Sequence, residues 1–557
     1  MSGKRKDALS KLIGARFFSK NYEAENGKLE ALFRSARDFE GHGTHTLSTA
    51  GGNFAFGANV FGNGNGTAKG GSPRARVAAY KTCWSKNDVP QCHDADIIQA
   101  FDHAIHDAVD VISISAGKYP SAEALFTDGI SIGAFHAVAR NILVVCSADN
   151  DGPTPSSVAN VAPWSFTVAA GTIDRDFLSN ISVGNKHYLQ GASLNRGLPS
   201  GNFYPLIHAI DARLPNATIQ DARLCKARTL DPKKVRGKIV ICVRREKITS
   251  IAEGQEAALA GAVGVAVVND EKSGKTLLAE PHPLTAVNVD PRAASQAFNY
   301  QSSNKNNSRE LAAHVTSAQT YLGVKPAPIM AGFSSRGPSA VQPLILKPDI
   351  TGPGVNILAG YSPATGPSNI ASDKRRVLFN IQQGTSMSCP HVAGVAALLK
   401  TLHPNWTPAA IKSAIMTTAT TLDNTNRPIR DTFDKVATPF EYGSGHIRPN
   451  HAMDPGLVYD LSTSDYLIVL LSFNIENLNY PSITVAYGGI HTIKVTRTLT
   501  NVGPPSTYVV STHKLEGFKV LVRPSSLTFK RIAEKKKFSV ILKARGVPRH
   551  GFPIFGN

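Results

Sequence analysis

The chain is short of acidic side chains. Only 18% of its 557 residues are charged, and 60 Lys plus Arg stand against 41 Asp plus Glu, so the formal charge of +19 comes more from missing carboxylates than from added bases. No basic stripe interleaved with aromatic residues is present, and the densest cluster, Lys535 to Lys537, runs into the apolar alternation Phe538, Val540, Leu542, which reads as the solvated edge of a strand. No nucleic-acid partner is expected, because a basic chain without such a stripe needs no partner beyond water; a basic nucleic-acid binder stays a remote alternative. Long apolar runs are missing as well. Ile142 to Cys146 and Ile239 to Val243 are far shorter than the ~18 residues of a membrane-spanning helix, so no membrane partner is expected. The basic opening stretch holds no apolar core of the kind a signal peptide needs, so none is expected in this chain.

Cysteine is scarce. The six residues fall into two local pairs, Cys83 with Cys92 and Cys225 with Cys242, which are disulfide candidates, and two isolated thiols, Cys146 and Cys389, inside apolar segments, which are expected to stay buried and free. Five Asn-x-Ser/Thr triplets begin at Asn65, Asn180, Asn216, Asn306 and Asn405, a pattern that suits a secreted glycoprotein.

What is there is an alternation of strand-like and helix-like segments. Val77 to Tyr80 reads as a strand; Ile97, Ile98, Phe101, Ala104, Ile105 and Ala108 lie on one face at helical spacing; Val109 to Ser115 is again β-rich, followed by helix-like Ile130 to Ala139 and the runs Ile142 to Cys146 and Phe166 to Ala170. This βαβα order predicts an α/β fold, a parallel sheet covered by helices on both faces. Shorter strands follow from about Gly201, among them Gly237 to Val243 and Gly261 to Val268 around a helix-like Glu253 to Ala260, as in a small inserted α/β module. Thr407-Pro408 reads as an N-cap with Pro at the first helical position. From about Tyr480 the pattern is that of a β-sandwich. The expected divisions are residues 1–200 and 321–475 for two parts of one large domain, 201–320 for the insertion and 476–557 for an incomplete sandwich.

Three segments carry chemistry. Gly384-Thr385-Ser386-Met387-Ser388 opens a helix with the apolar interior Val395 to Leu399, so Ser386 sits where free N–H groups and the positive end of the helix dipole favour a developing oxyanion. The bland reading of such a Ser is an N-cap. It is not the G-x-S-x-G elbow, because Ser388 replaces the second Gly. Gly41-His42-Gly43-Thr44-His45 surrounds an imidazole with small residues. Metal binding by His42 and His45 is the rival, but no Glu follows His42 and no third ligand is apparent, so neither metal nor cofactor is expected. Asn150 follows a buried strand, where its amide can reach a ligand at the carboxyl end of the sheet; the plainer reading is a turn-forming Asn. A Cys389–His391 thiol dyad is dismissed, since two positions apart on a helix they face different ways.

Together these segments resemble the subtilisin-like serine proteases, specifically the plant subtilases. His42 matches the histidine of the family's G-H-G-T-H motif, Ser386 the nucleophile of its G-T-S-M motif and Asn150 its side-chain oxyanion donor; Ser334 to Pro338, Lys347 to Ile350 and Asn479 to Ser482 look like further landmarks. The resemblance implies a subtilisin-like sheet, a protease-associated insertion and a fibronectin-III-like end domain. It also implies a secreted, apoplastic or cell-wall endopeptidase acting on polypeptide substrates, and a peptide-pairing edge at Ser115, Ala116 and Gly117. The family's triad Asp lies on a strand well before the histidine segment. Only Asp7 and Asp38 precede His42 here and neither matches it, so the chain is expected to be truncated at its beginning, and at its end, or to be a non-catalytic peptide-binding pseudoprotease. Loss of that carboxylate costs about 10⁴-fold in kcat. A further departure is Asp149, where the family has Gly: a carboxylate about 6 Å from the oxyanion repels it by about 3 kcal/mol at an effective dielectric of ~20.

Overall fold

A computed structural model describes residues 11–556 apart from 87–88, 119–123, 185–186, 245–248, 272, 299–310, 473–474, 489–491 and 546–552. Asp7 and Asn306 lie outside the described residues. Strands β1 (Leu12–Phe17) and β2 (Val77–Lys81) form a parallel pair of their own. The main sheet holds four parallel strands, β3 (Val111–Ile114), β4 (Leu143–Ser147), β5 (Phe166–Gly171) and β6 (Ile350–Pro353), in the order β6-β5-β4-β3. The sequence places the Val77 strand at the start of this sheet; instead it hydrogen-bonds to Leu12–Phe17, a strand exposed along its whole length that no hydropathy alternation announces.

Every residue of β4 and β5 is buried, which requires cover on both faces of the sheet. The cover comes from α2 (Asp94–His106), α3 (Gly129–Ala139), α4 (Thr385–Leu402) and α5 (Pro408–Thr417), while α1 (His42–Gly51) packs against α4. Phe101 of α2 and Ile130 and Ala134 of α3 join Leu143, Val145 and Phe166 of the sheet and Val392, Ala396 and Leu399 of α4 in one core. Phe166 is fully buried, and each such side chain contributes roughly 1.5–3 kcal/mol. Helix α5 starts as its sequence dictates: Thr407 Oγ1 accepts the Ala410 N–H at 3.0 Å and Pro408 occupies the first turn.

A second, eight-stranded sheet contains the parallel strands Tyr204–His208, Ile239–Val243, Gly264–Val268 and Thr285–Val289, with helix Ile251–Leu259 against them. It also recruits Arg175–Val183, His187–Ala192, Ala312–Val315 and Gln319–Leu322, so its hydrogen bonding reaches back before Gly201. The end domain pairs Thr492–Asn501, Lys535–Ala544 and Phe518–Arg523 in one sheet and Ser506–Val509 with Ser526–Phe529 in another. Lys535–Ala544 pairs along its length with Thr492–Asn501, but Phe518–Arg523 flanks only Ser539 to Ala544, so Lys535 to Lys537 have a strand on one side alone. Disulfides join Cys83 to Cys92 and Cys225 to Cys242, while Cys146 and Cys389 are buried thiols. Burial lifts the Cys389 thiol to about 11, and its Sγ lies 3.2 Å from the Val145 carbonyl, far from any role as a nucleophile.

Candidate active site

Strands β3 and β4 end side by side against the start of α4, and the residues after them, Ser115 to Gly117 and Ala148 to Asn150, form two walls at that end. Helix α4 contains Pro390, which has no N–H to give the carbonyl four residues earlier, that of Ser386. The Ser115 hydroxyl supplies the missing bond, donating to Ser386 O at 2.9 Å. The expected peptide-pairing edge is thereby tied to the residue expected to act as nucleophile.

Asn150 is fixed from the other wall. Its Oδ1 accepts the Thr385 N–H at 2.9 Å and the Thr385 hydroxyl at 3.2 Å, leaving Nδ2 as the donor end of the amide. A Cβ built on Gly384 would stand 3.5 Å from Ser386 N and 3.7 Å from Asn150 Nδ2, so both donors converge beside bare glycine backbone. The structure thus brings Ser386, Asn150 and Ser115 into one cluster at a helix N-terminus.

His42 is the first residue of α1, which packs against α4. The seam between them is made of backbone: a Cβ on Gly394 would lie 2.7 Å from Gly71 Cα and 2.8 Å from Ala50 O. Neither the His42 imidazole nor the Ser386 hydroxyl forms a hydrogen bond among the described residues, and both side chains are half-buried. His45 turns the other way. It is fully buried with Nε2 3.0 Å from the Ile357 carbonyl, and burial pulls its pKa down to about 3, so it is a neutral core residue.

Asp38 caps α1. One carboxylate oxygen accepts the N–H groups of Glu40 at 3.0 Å and Gly41 at 2.8 Å, and the other accepts the Thr44 N–H at 2.7 Å and the Thr44 hydroxyl at 2.6 Å. Burial opposes its charge, yet these hydrogen bonds hold the acid below the usual carboxylate range. Both oxygens are therefore committed to the helix start. Asp149 adopts φ +78°, the left-handed region that Asp tolerates, with Oδ1 accepting its neighbour's Asn150 N–H at 2.7 Å. Sequence reasoning did not find Asn160, whose Nδ2 donates to Ala116 O at 2.9 Å and Ser147 O at 2.8 Å and so clamps the two walls together; nothing in its sequence context signals this role.

A serine at a helix N-terminus, an amide beside it and a histidine-bearing helix packed against the serine helix are the arrangement expected of a hydrolase of the serine-nucleophile class. The subtilase family model matches residues 9–445, and a fibronectin type-III model matches residues 477–557. The chain belongs to the subtilase family and is a subtilisin-like serine-type endopeptidase. It is 55% identical to the subtilisin-like protease Glyma18g48580 of Glycine max over 96% of this chain and 72% of that protein. It is 48% identical to the subtilisin-like protease SBT5.3 of Arabidopsis thaliana over 98% and 73% respectively. Among solved structures, the psychrophilic subtilisin-like protease Apa1 of an Antarctic Pseudoalteromonas overlaps 75% of this chain and 84% of its own at 16% identity and a TM-score of 0.34.

Proposed function

We propose that this chain cleaves peptide bonds through an acyl-enzyme on Ser386. His42 takes the hydroxyl proton, Ser386 Oγ attacks the scissile carbonyl, and the Asn150 amide with the Ser386 N–H stabilises the oxyanion before water releases the product. The substrate lies extended along Ser115 to Gly117 by strand addition. The observation that carries this reading is the cluster in which Ser115 Oγ holds Ser386 O and Thr385 N holds Asn150 Oδ1. Residues 201–320 form a protease-associated insertion in this reading. The protein works outside the cell as a glycoprotein, with Asn65, Asn216 and Asn405 exposed for modification and two disulfides in place. No helix of the described residues is long and apolar enough to cross a membrane.

A second reading, a peptide-binding protein without turnover, is favoured by one observation: among the described residues no carboxylate is hydrogen-bonded to His42, and Asp38 is spent on the helix cap. A fluorophosphonate probe decides between them. Labelling of Ser386 that disappears in Ser386→Ala supports the protease; absence of labelling in a folded protein supports the binder.

A further inference from the structure

We infer that Tyr361 is a positioning residue for His42: its ring, lodged against Gly41, fixes the stretch of backbone from which the imidazole projects. The inference rests on the reading of His42 as the base that takes the Ser386 proton, and deepens it by naming what holds that base in place.

The His42 imidazole forms no hydrogen bond among the described residues, so its place follows from the backbone that carries it. That backbone is held from two sides. On one, the Asp38 carboxylate accepts the Gly41 and Thr44 N–H groups. On the other stands the antiparallel pair Ile357–Gly360 and Phe379–Gln382 with the loop that joins its strands. Helix α1 is tied to this pair through His45 Nε2, which lies 3.0 Å from Ile357 O and 3.3 Å from Asn380 O. The loop opens with Tyr361, buried at 3% exposure. Its hydroxyl lies 3.0 Å from Glu40 O and 2.9 Å from Asn369 Oδ1, and the next residue's hydroxyl, that of Ser362, donates to Asp38 O at 2.6 Å. The two carbonyls at positions 38 and 40, just before the helix, are thus both held by this loop.

The ring matters more than the hydroxyl. A Cβ built on Gly41 would stand 2.3 Å from Cε2 and Cζ of Tyr361 and 2.8 Å from its hydroxyl oxygen, so the ring rests against bare Gly41 backbone and fills the space a side chain would take. Gly41 has φ +97°, and a glycine freed of such a neighbour explores more backbone conformations than any other residue. The hydroxyl, by contrast, has one proton for two acceptors, so the bond to Glu40 O is a shared one. The loop behind the ring is itself fastened. Ser368 Oγ donates to Asp373 Oδ2 at 2.6 Å and Arg375 Nε to Asp373 Oδ1 at 2.8 Å. Arg375 Nη2 also donates to Pro281 O at 2.6 Å, which moors the loop to the second sheet's connection between Gly264–Val268 and Thr285–Val289. The ring is therefore backed by structure and cannot follow Gly41 if the helix start drifts. Proton transfer from Ser386 to His42 is sensitive to such drift, since a misplacement of about 1 Å costs about 10²-fold in rate.

The test uses the full chain with Tyr361→Phe, Tyr361→Leu or Tyr466→Leu. Tyr466 is equally buried at 3% exposure and packs against Trp164 in the main core, so its replacement removes a comparable ring away from α1. Fluorophosphonate labelling of Ser386 is timed as a function of pH on protein shown to be folded by circular dichroism. Positioning predicts labelling about 10²-fold slower in Tyr361→Leu at every pH, with the shape of the profile kept. Tyr361→Phe, which restores the ring, labels at close to the wild-type rate, and Tyr466→Leu is unchanged. Tyr361→Met is read in the same way if Tyr361→Leu does not fold. A wild-type rate in Tyr361→Leu, equal slowing in Tyr466→Leu, a Tyr361→Phe as slow as Tyr361→Leu, or a profile displaced along the pH axis overturns the inference. If folded wild type is not labelled at all, the nucleophile reading fails and hydrogen exchange decides the positioning separately. Amides of residues 41–45 that exchange at least about 10-fold faster in Tyr361→Leu, and not in Tyr466→Leu, uphold the hold on His42; equal exchange overturns it.

Discussion

Replacing Asp349 by alanine removes the one carboxylate from a buried cluster that joins the main sheet to the end domain. Asp349 immediately precedes β6 and is fully buried; its Oδ2 lies 2.7 Å from Lys347 Nζ, 3.2 Å from Lys412 Nζ and 2.8 Å from Thr167 N, and its Oδ1 accepts the Tyr480 hydroxyl. The two lysines are 0% and 3% exposed and both reach the Ser165 carbonyl at 2.9 Å. Without the acid, Lys347 and Lys412 keep carbonyl, hydroxyl and aromatic partners but no counter-charge, and Tyr480 loses its acceptor. Burial pulls Lys412 down to about 7 against the opposing pull of Asp349, so loss of the acid favours its neutral form. Breaking a buried pair from one side costs about 3–5 kcal/mol, and that is the expected loss at pH 7. The two lysines hold the Asp349 acid below its ordinary range despite burial. A depressed carboxylate stabilises the fold above its unfolded pKa of about 4 and loses that contribution as pH falls through the folded value, so the gap between wild type and Asp349→Ala must narrow in acid. Urea unfolding followed by circular dichroism at pH 7 and at pH 3 measures both. Replacing all three residues together, with Asp349→Leu, Lys347→Met and Lys412→Met, is expected to recover most of the loss. A cost below 1 kcal/mol at pH 7, or a gap that does not shrink in acid, would refute the account.

Asp38→Ala strips the cap of α1 and is expected to cost about 0.5–2 kcal/mol in urea unfolding and to slow Ser386 labelling, since the freed helix start carries His42. Ser115→Ala leaves the Ser386 carbonyl without its donor; a stability loss of about 1–3 kcal/mol is expected, and no loss would mean that water replaces the hydroxyl. Gly394→Ala forces a methyl between Gly71 and Ala50, costing about 1–3 kcal/mol and separating the helices that carry His42 and Ser386; labelling slowed by about 10²-fold is expected, and an unchanged rate would show that the seam does not set their spacing. His45 and His446 are pulled down to about 3 and about 4 by burial, so between about pH 6.5 and those values the unfolded chain binds protons that the folded chain refuses. Stability therefore falls with acidification across that window, and a urea midpoint that is flat from pH 6.5 to 4 would contradict the assignment.

Strands β3, β4 and β5 of the main sheet were legible as short β-rich or apolar runs, and β4 and β5 are buried at every residue as such runs demand, whereas β6, Ile-Thr-Gly-Pro, carries no such pattern. Strand β1 escaped notice for the opposite reason: it is exposed throughout, so hydrophobic pattern carries no information about it. Ser386 and Asn150 stand out in their local context and Ser115 only through the family resemblance; that the three lie together is seen in the structure alone. What joins them was not readable. The bond from Ser115 to Ser386 depends on a proline four residues further along α4, and the Asn160 clamp depends on two carbonyls from different strands. Such relations exist only once the chain has closed in three dimensions. The far reach of the second sheet, back to Arg175, was not readable because Arg175–Val183, although it alternates in burial, also takes partners more than a hundred positions away.

The contact between α1 and α4 has a mechanical meaning. Side chains that meet across a helix interface can hop between rotamers and let the distance between the helices breathe, but peptide units in direct contact have no such freedom. Where Gly394 of α4 meets Ala50 of α1 and the loop residue Gly71, backbone faces backbone, and the spacing at that point is set by covalent geometry and atomic radii. Variation at neighbouring positions therefore cannot tune that gap in small steps: it is either kept as it is or lost.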